Sequence, residues 1–191
     1  MDDSSKVKIP GELIECKSPT KDLILIVGGF RVRALDYLPH IGKPLNEHAH
    51  IYATELRNQG RTSANTCVGD LVQIDHQLRR ELGVRNVVYV GHSMGMNVAV
   101  DAINGYGLET LGLYGMNAYP SFGDTKTHDE DPSVRSRRLF AKYKDSSSRV
   151  FDGRNHCFND FFSEPKCHGP LNTYKPKELV QDIRQHLGRF L

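Results

Sequence analysis

Ser93 is the residue of this sequence whose surroundings best suit nucleophilic chemistry. It stands in the segment Val90-Gly91-His92-Ser93-Met94-Gly95, after an apolar run typical of a strand and before a stretch typical of a helix. A nucleophile at the tip of such a tight turn needs a strained backbone, and Gly91 and Gly95 remove the side chains that would collide there. We therefore expect Ser93 to be presented on a strand-turn-helix unit.

The helix that follows this turn would assist the chemistry of Ser93. Its positive end and the free backbone N–H of Met94 would favour an oxyanion beside the serine. A serine hydroxyl is a weak nucleophile at neutral pH, so a base must also lie within hydrogen-bond reach. The alternative is a glycine-rich turn that only packs a helix against a strand.

The elements that would position Ser93 follow an alternating pattern. Short apolar runs alternate with amphipathic stretches, as in parallel strands joined by crossover helices. We expect an α/β fold with a mostly parallel twisted sheet, helices on both faces and no separate lid. Strands are predicted over 11–16, 23–27, 50–54, 86–90, 108–114 and 149–151, helices over 70–82, 94–103, 132–143 and 176–191, and a polar loop over 55–66.

The composition predicts one globular domain over residues 1–191. Cationic side chains exceed anionic ones by a net charge of only +2, so no charge excess favours nucleic acid or an anionic membrane as a partner. The longest apolar run, Leu23–Val27, is far shorter than the roughly 20 residues that span a bilayer. We therefore expect neither a nucleic-acid partner nor a membrane span.

Three segments of the sequence resemble the α/β-hydrolase family, and the resemblance covers most of the first 115 residues. They are Leu23–Phe30, Tyr52–Thr62 and Val87–Met96, the last carrying the family's nucleophile elbow around Ser93. The resemblance implies a serine hydrolase of minimal, lid-less type with a Ser-His-Asp triad. It also implies that the backbone N–H of Phe30 joins that of Met94 in an oxyanion hole.

The sequence departs from the family at three of these positions. Gly28 stands where the family usually has a histidine, and Glu55 and Asn58 differ from its usual Asp-x-x-Gly-x-Gly-x-Ser loop. Because the oxyanion donor is a backbone group, the first change leaves the expected oxyanion loop intact. We interpret the other two as structural changes.

The family's chain order of nucleophile, acid and histidine leaves few candidates for the base. His156 follows the predicted strand over 149–151 and a turn, which is where the family's last strand delivers its histidine. His168 is the alternative, because it precedes the last helix by a spacing that also suits this role. His186 lies within that helix and is interpreted as a surface or core-edge residue.

The acid that orients the histidine is expected between the strand ending near 114 and the helix beginning at 132. Asp131, in Asp131-Pro132-Ser133-Val134, most resembles the family's acid loop, and Asp124 is the alternative. A solvated loop charge or a helix N-cap is the competing interpretation for each.

These residues together predict acyl transfer to and from Ser93, with a small-molecule ester or thioester as substrate. A non-catalytic relative that binds a ligand, or an acyltransferase or peptidase on the same scaffold, are the other two possibilities. The sequence leaves the oligomeric state open. No cofactor is expected.

The spacing of the cysteines and histidines predicts no metal site, although His156-Cys157 and Cys167-His168 could form a His/Cys set if they met in space. The four cysteines show no CxxC spacing and no charged-then-apolar leader opens the chain. We therefore expect reduced thiols and a cytoplasmic location.

Overall fold

A six-stranded sheet organises the chain. The structure, a computed structural model, describes residues 11–29, 33–56, 64–92, 94–116, 149–151 and 176–187. The strands are β1 Gly11–Ile14, β2 Asp22–Val27, β3 His50–Thr54, β4 Asn86–His92, β5 Gly112–Met116 and β6 Arg149–Phe151. They lie in the order β1-β3-β2-β4-β5-β6, with β1 antiparallel to β3 and every other pair parallel. The prediction of a mostly parallel sheet is confirmed.

The helices alternate with these strands along the chain. Between β2 and β3 the chain forms a 3₁₀ turn over Ala34–Tyr37, a π-helical turn over Leu38–Gly42 and the short helix α1 over Lys43–Leu45. The longer helices are α2 Ala64–Leu82, α3 Met94–Tyr106 and α4 Pro176–Leu187. Across the described segments, none of the helices has both the length and the apolar character needed to cross a bilayer.

The sheet separates two apolar cores, because successive side chains of a strand point to opposite faces. Every residue of β2 is buried. On one face, Leu23, Leu25 and Val27 pack with residues of α2 and α3. On the other, Ile24 and Ile26 pack with the turns between β2 and β3, with α1 and with α4. The prediction of helices on both faces is confirmed.

Two predicted boundaries are wrong. Helix α2 begins at Ala64 rather than at 70, so the polar loop predicted over 55–66 ends earlier. The buried residues Cys67 and Leu71 lie one helical turn apart and extend its apolar face toward the N-terminus. The fifth strand begins at Gly112 rather than at 108, and Leu108, the first residue of the predicted strand, is buried but lies ahead of it.

Other predicted elements match the structure closely. β3 and β6 have the predicted bounds. β4 ends two residues after its predicted end, and α3 ends three residues after its predicted end. The predicted helix over 132–143 and the last four residues of the predicted helix over 176–191 lie outside the described residues.

A buried polar network fastens α2 to the sheet. The Asp75 carboxylate is fully buried and accepts hydrogen bonds from Arg79 Nε at 2.5 Å and from the Tyr89 hydroxyl at 2.9 Å. The same guanidinium donates to the carbonyl oxygens of Arg85 at 2.7 Å and Glu109 at 2.6 Å. One arginine thus joins α2 to the loops that precede β4 and β5.

Candidate active site

The carboxyl ends of β2 and β4 form the place in this sheet where a ligand is expected. The two strands are adjacent and parallel, with Val27 opposite Gly91. The chain leaving β2 packs on one face of the sheet, whereas α3, which follows β4, packs on the other. In open α/β sheets, ligands bind in the crevice at such a switch point.

The turn after β4 is tightly packed at this edge. A Cβ atom on Gly91 would lie 2.5 Å from Met96 Cα and 3.0 Å from the Gly95 carbonyl carbon. A Cβ atom on Gly95 would collide with the backbone carbonyl oxygens of Val27 and Gly28. Since all of these neighbours are backbone atoms, only glycine fits at either position. The expected collision of side chains at Gly91 and Gly95 is confirmed.

Position 93 is the single residue between a strand and a helix. β4 ends at His92 and α3 begins at Met94. Ser93 itself lies outside the described residues, but the strand predicted before it and the helix predicted after it are confirmed. The first N–H groups of an α-helix have no acceptor within the helix, which leaves those at the start of α3 able to bind an anion.

His92 precedes the serine but belongs to the core. Its side chain is fully buried, and its ring lies against that of Tyr37, with 5.8 Å between the centroids and an angle of 50° between the planes. The alternation of β4 points His92 to the same face as Val88 and Val90. His92 precedes Ser93 in the sequence, so the family's chain order also excludes it as the catalytic base.

A small cleft, partly open to solvent and with a cavity volume of about 10 Å³, lies beside the switch point. Its lining comprises Gly28, Gly29, Arg33, Ala34, Thr54, Glu55 and Leu56. The lining thus joins the two glycines that follow β2 to the end of β3 and the two residues after it. Gly28 contributes both to this cleft and to the packing against Gly95.

Two polar side chains of the cleft are withdrawn from solvent, one fully and one in large part. Thr54 is only 1% exposed. Glu55 has a side chain 14% exposed, and its Oε2 accepts a hydrogen bond of 3.4 Å from Arg33 Nε. Among the described residues, neither Thr54 Oγ1 nor Glu55 Oε1 finds a hydrogen-bond partner.

This polar cleft is not predicted by the sequence. Glu55 is interpreted there as a structural departure from a family loop, and Thr54 has no assigned role. The location of both residues in the cleft follows from the position of β3. The carboxyl ends of β2 and β3, which are neighbouring parallel strands, meet at one edge of the sheet. Their lack of partners depends on tertiary packing and has no signal in the sequence.

Several predicted site residues stay predictions. Met94 lies at the start of α3, as expected. The other predicted site residues and their alternatives lie outside the described residues: Phe30, Ser93, Asp131, His156, Asp124 and His168. Within the described ranges, no group of three or more His, Cys, Asp or Glu side chains could hold a metal ion.

The comparison with known families agrees with this architecture. The family model described as alpha/beta hydrolase fold matches residues 22–100, which include β2, β3, β4 and the first half of α3. Among curated proteins, none matches this sequence.

Solved structures share the fold over nearly the whole chain. Est1E from Butyrivibrio proteoclasticus with ferulic acid bound has a TM-score of 0.68 and 11% identity, over 95% of this chain and 94% of that one. A serine hydrolase without a lid from Xanthomonas campestris has a TM-score of 0.65 and 10% identity, over 95% and 88% of the two chains. A carboxylesterase from Bacillus cereus has a TM-score of 0.64 and 15% identity, over 95% of each chain.

Some similar structures are longer. The chain covers 43% of a Staphylococcus aureus protein of unknown function and 50% of an esterase from a marine microorganism, each with a TM-score of 0.49. At identities of 10–15%, the likeness to the Est1E, Xanthomonas campestris and Bacillus cereus structures shows the fold alone.

Proposed function

We propose that this chain, whose residues 22–100 match the model of the alpha/beta hydrolase fold, is a serine hydrolase that cleaves a carboxylic ester or thioester through an acyl-serine intermediate. The observation that carries the proposal is the crowding of Gly91 and Gly95 around position 93. A turn that excludes every side chain but hydrogen on both sides of one serine, at the switch point of the sheet, suits the display of a nucleophile.

The proposed reaction has two halves. Ser93 Oγ attacks the substrate carbonyl carbon while His156 accepts the hydroxyl proton, and the backbone N–H groups of Phe30 and Met94 stabilise the oxyanion. His156 then returns the proton to the departing alcohol or thiol as the acyl-serine forms. Water, activated by the same histidine, attacks this acyl-serine and releases the acid. Asp131 holds the second ring nitrogen throughout.

The roles of base and acid rest on chain order and on the resemblance to the family. We assign the base to His156, with His168 as the alternative, and the acid to Asp131, with Asp124 as the alternative. The reaction uses only side chains, backbone amides and water, and its substrate is a small acyl compound. A single domain over 1–191 and a cytoplasmic location also stay predictions.

Labelling with a fluorophosphonate probe tests the nucleophile directly. The wild-type protein should be labelled, and Ser93→Ala should not be, because the probe forms its bond with an activated serine oxygen. Ser18→Ala is the matched control, since Ser18 is exposed and lies in the bend that precedes β2. Equal labelling of wild type and Ser93→Ala would refute the proposal, whereas a protein that takes no label would favour a non-catalytic relative.

A substrate panel then identifies the reaction. Turnover of p-nitrophenyl butyrate should disappear in Ser93→Ala. Matched butyryl esters, thioesters and amides separate an esterase from a peptidase. Addition of an alcohol acceptor separates hydrolysis from acyl transfer, because a transferase would convert the acyl-enzyme into a new ester instead of the free acid.

A further inference from the structure

We infer that Thr54 and Glu55 form a subsite that recognises a hydroxyl group of the substrate, a few bonds from the carbonyl that reacts. The inference deepens the proposed function and, for its effect on turnover, rests on it. It assigns the substrate to the class of hydroxylated esters, with the hydroxyl on either the acyl part or the alcohol part.

The first observation concerns the Thr54 hydroxyl. Thr54 is the last residue of β3 and only 1% exposed, and among the described residues its Oγ1 has no hydrogen-bond partner although it borders the cleft. Burying a hydroxyl without a partner is unfavourable, so such groups in native proteins are usually satisfied by protein, water or ligand. Because Thr54 lines the cleft, a ligand bound there would be placed to supply that partner.

The second observation is the orientation of the Glu55 carboxylate. Oε2 faces Arg33 Nε at 3.4 Å, whereas Oε1 is buried without a partner in the part of the chain that the structure describes. One carboxylate oxygen is thus used by an ion pair and the other is left to accept a hydrogen bond. Both Glu55 and Thr54 line the same cleft.

The charges of the cleft select the kind of group that binds. Arg33 balances the negative charge of Glu55, so a cationic amine would lose part of its attraction to the carboxylate through repulsion from the guanidinium. An anionic group would face Glu55 Oε1 directly. A neutral hydroxyl can both donate to the carboxylate and accept from the threonine, which matches the two side chains.

The position of the cleft links it to the reaction. Gly28 lines the cleft and its carbonyl oxygen packs against Gly95, two residues after Ser93. A substrate held at Ser93 would therefore have substituents close to this cleft. The cavity volume of the cleft is about 10 Å³, which is close to the space that one water molecule occupies and therefore suits a single hydroxyl group.

Matched pairs of esters test the subsite. The acyl pair is p-nitrophenyl 3-hydroxybutyrate against p-nitrophenyl butyrate, and the alcohol pair is glycerol monobutyrate against propyl butyrate. Wild type should favour the hydroxylated member of one pair by about tenfold in kcat/KM, the worth of one or two hydrogen bonds. The pair that shows the preference identifies which part of the substrate carries the hydroxyl.

Thr54→Val is the decisive variant, because it removes the hydroxyl and keeps the shape of the side chain. It should reduce the preference several-fold without lowering the melting temperature, since the hydroxyl it removes lacks a partner among the described residues. Glu55→Gln should also reduce the preference. Glu109→Gln, at an exposed position ahead of β5, should preserve it.

Thr110→Val is the control for loss of a threonine hydroxyl elsewhere. The Thr110 hydroxyl bonds the carbonyl oxygens of Val87 at 3.0 Å and Gly112 at 2.8 Å. This variant should lower the melting temperature and keep the substrate preference, the opposite of Thr54→Val. Equal kcat/KM within both wild-type pairs, or a preference that survives Thr54→Val, would overturn the subsite.

Binding to Ser93→Ala separates this inference from the proposed chemistry. In that protein 3-hydroxybutyramide should bind about tenfold more tightly than butyramide, or glycerol than propanol, and addition of Thr54→Val should abolish the difference. If the wild-type protein has no esterase activity and Ser93→Ala still binds the hydroxylated compound selectively, the subsite is supported and the hydrolase is refuted. Esterase activity without selectivity in kinetics or binding would refute the subsite alone.

Discussion

Gly95, in the first turn of α3, packs directly against the carbonyl oxygen of Gly28, just beyond the end of β2. A Cβ atom at position 95 would collide with this oxygen and with that of Val27, and would lie 2.9 Å from the Val27 carbonyl carbon. The contact couples the turn that carries Ser93 to the backbone that leads toward Phe30. If Phe30 and Met94 form the proposed oxyanion hole, the packing of this one glycine would help to position both of its sides.

Gly95→Ala should disrupt this contact. The neighbours are backbone atoms and cannot rotate away, so we expect the free energy of unfolding to fall by about 1–3 kcal/mol and esterase activity to be lost. Urea denaturation and p-nitrophenyl butyrate turnover measure the two effects.

Gly105→Ala is the matched control in the same helix. A Cβ atom there would meet nothing within 4 Å, so the substitution should raise the free energy of unfolding by about 0.5–1 kcal/mol through helix propensity. The two substitutions should thus differ in sign, and a stabilising Gly95→Ala would contradict the close contact.

Asp75→Asn should weaken the attachment of α2 to the sheet. The substitution removes the buried charge that pairs with Arg79 and accepts from the Tyr89 hydroxyl. Breaking one side of a buried pair costs about 3–5 kcal/mol when no partner remains, and the amide retains part of the bonding, so we expect a loss of about 2–3 kcal/mol.

Glu81→Gln provides the comparison on the same helix. Its carboxylate is exposed and accepts a hydrogen bond of 2.9 Å from Gln77. The free energy of unfolding should change by less than about 0.5 kcal/mol. Similar losses for Asp75→Asn and Glu81→Gln in urea denaturation would show that the Asp75 network does not stabilise the fold.

Two buried tyrosines should make the protein sensitive to alkali. Burial, reinforced by Asp36, raises the pKa of Tyr37 far above its ordinary value of about 10. Burial and the Asp75 carboxylate raise the pKa of Tyr89 similarly. As the pH passes about 10, the unfolded chain loses these protons while the folded chain keeps them, so ionisation favours unfolding.

Each of these tyrosines should reduce the free energy of unfolding by about 1.4 kcal/mol per pH unit above pH ~10, whereas its contribution is constant below that value. Tyr89→Phe should remove one of the two contributions. Because the variant and the wild type have the same lysines, the difference between their pH slopes reports the ionisation of Tyr89 alone. Urea denaturation between pH 9 and 11 measures the difference in slope. Equal slopes for Tyr89→Phe and wild type would show that Tyr89 ionises in the folded state.

The parts of this fold that sequence predicts are those with a local cause. β2 was identifiable because it is buried on both faces and is therefore apolar without interruption. The glycines at 91 and 95 were identifiable because a sharp strand-to-helix turn tolerates no larger residue. Local sequence carries both constraints.

The parts that sequence did not predict depend on distant residues. The turns over 34–42 are too short and irregular to show a helical period of apolar residues in the sequence, although they cover one face of the sheet. The polar character of the cleft arises only when the end of β3 meets the residues after β2. His156 and Asp131 remain assigned by chain order, since their proximity to Ser93 is a tertiary relationship.

His156→Ala should separate the proposed base from its alternative. Loss of a general base costs about 10²–10⁴-fold in rate, so kcat/KM should fall by about 10³-fold while His168→Ala causes less than about tenfold loss. Steady-state kinetics with p-nitrophenyl butyrate gives both ratios, and circular dichroism confirms that each variant is folded. A larger loss in His168→Ala would transfer the role of base to His168.

The pH dependence of activity tests the acid. A histidine accepts the serine proton only when neutral, so kcat/KM should rise through a single ionisation near the ordinary histidine pKa of about 6.5 and then level off. If Asp131 orients His156, its negative charge favours the protonated ring and raises the histidine pKa. Asp131→Asn should therefore slow the reaction and move the midpoint to lower pH, whereas Asp124→Asn should do neither. A rate and midpoint unchanged in Asp131→Asn, with both altered in Asp124→Asn, would assign the acid to Asp124.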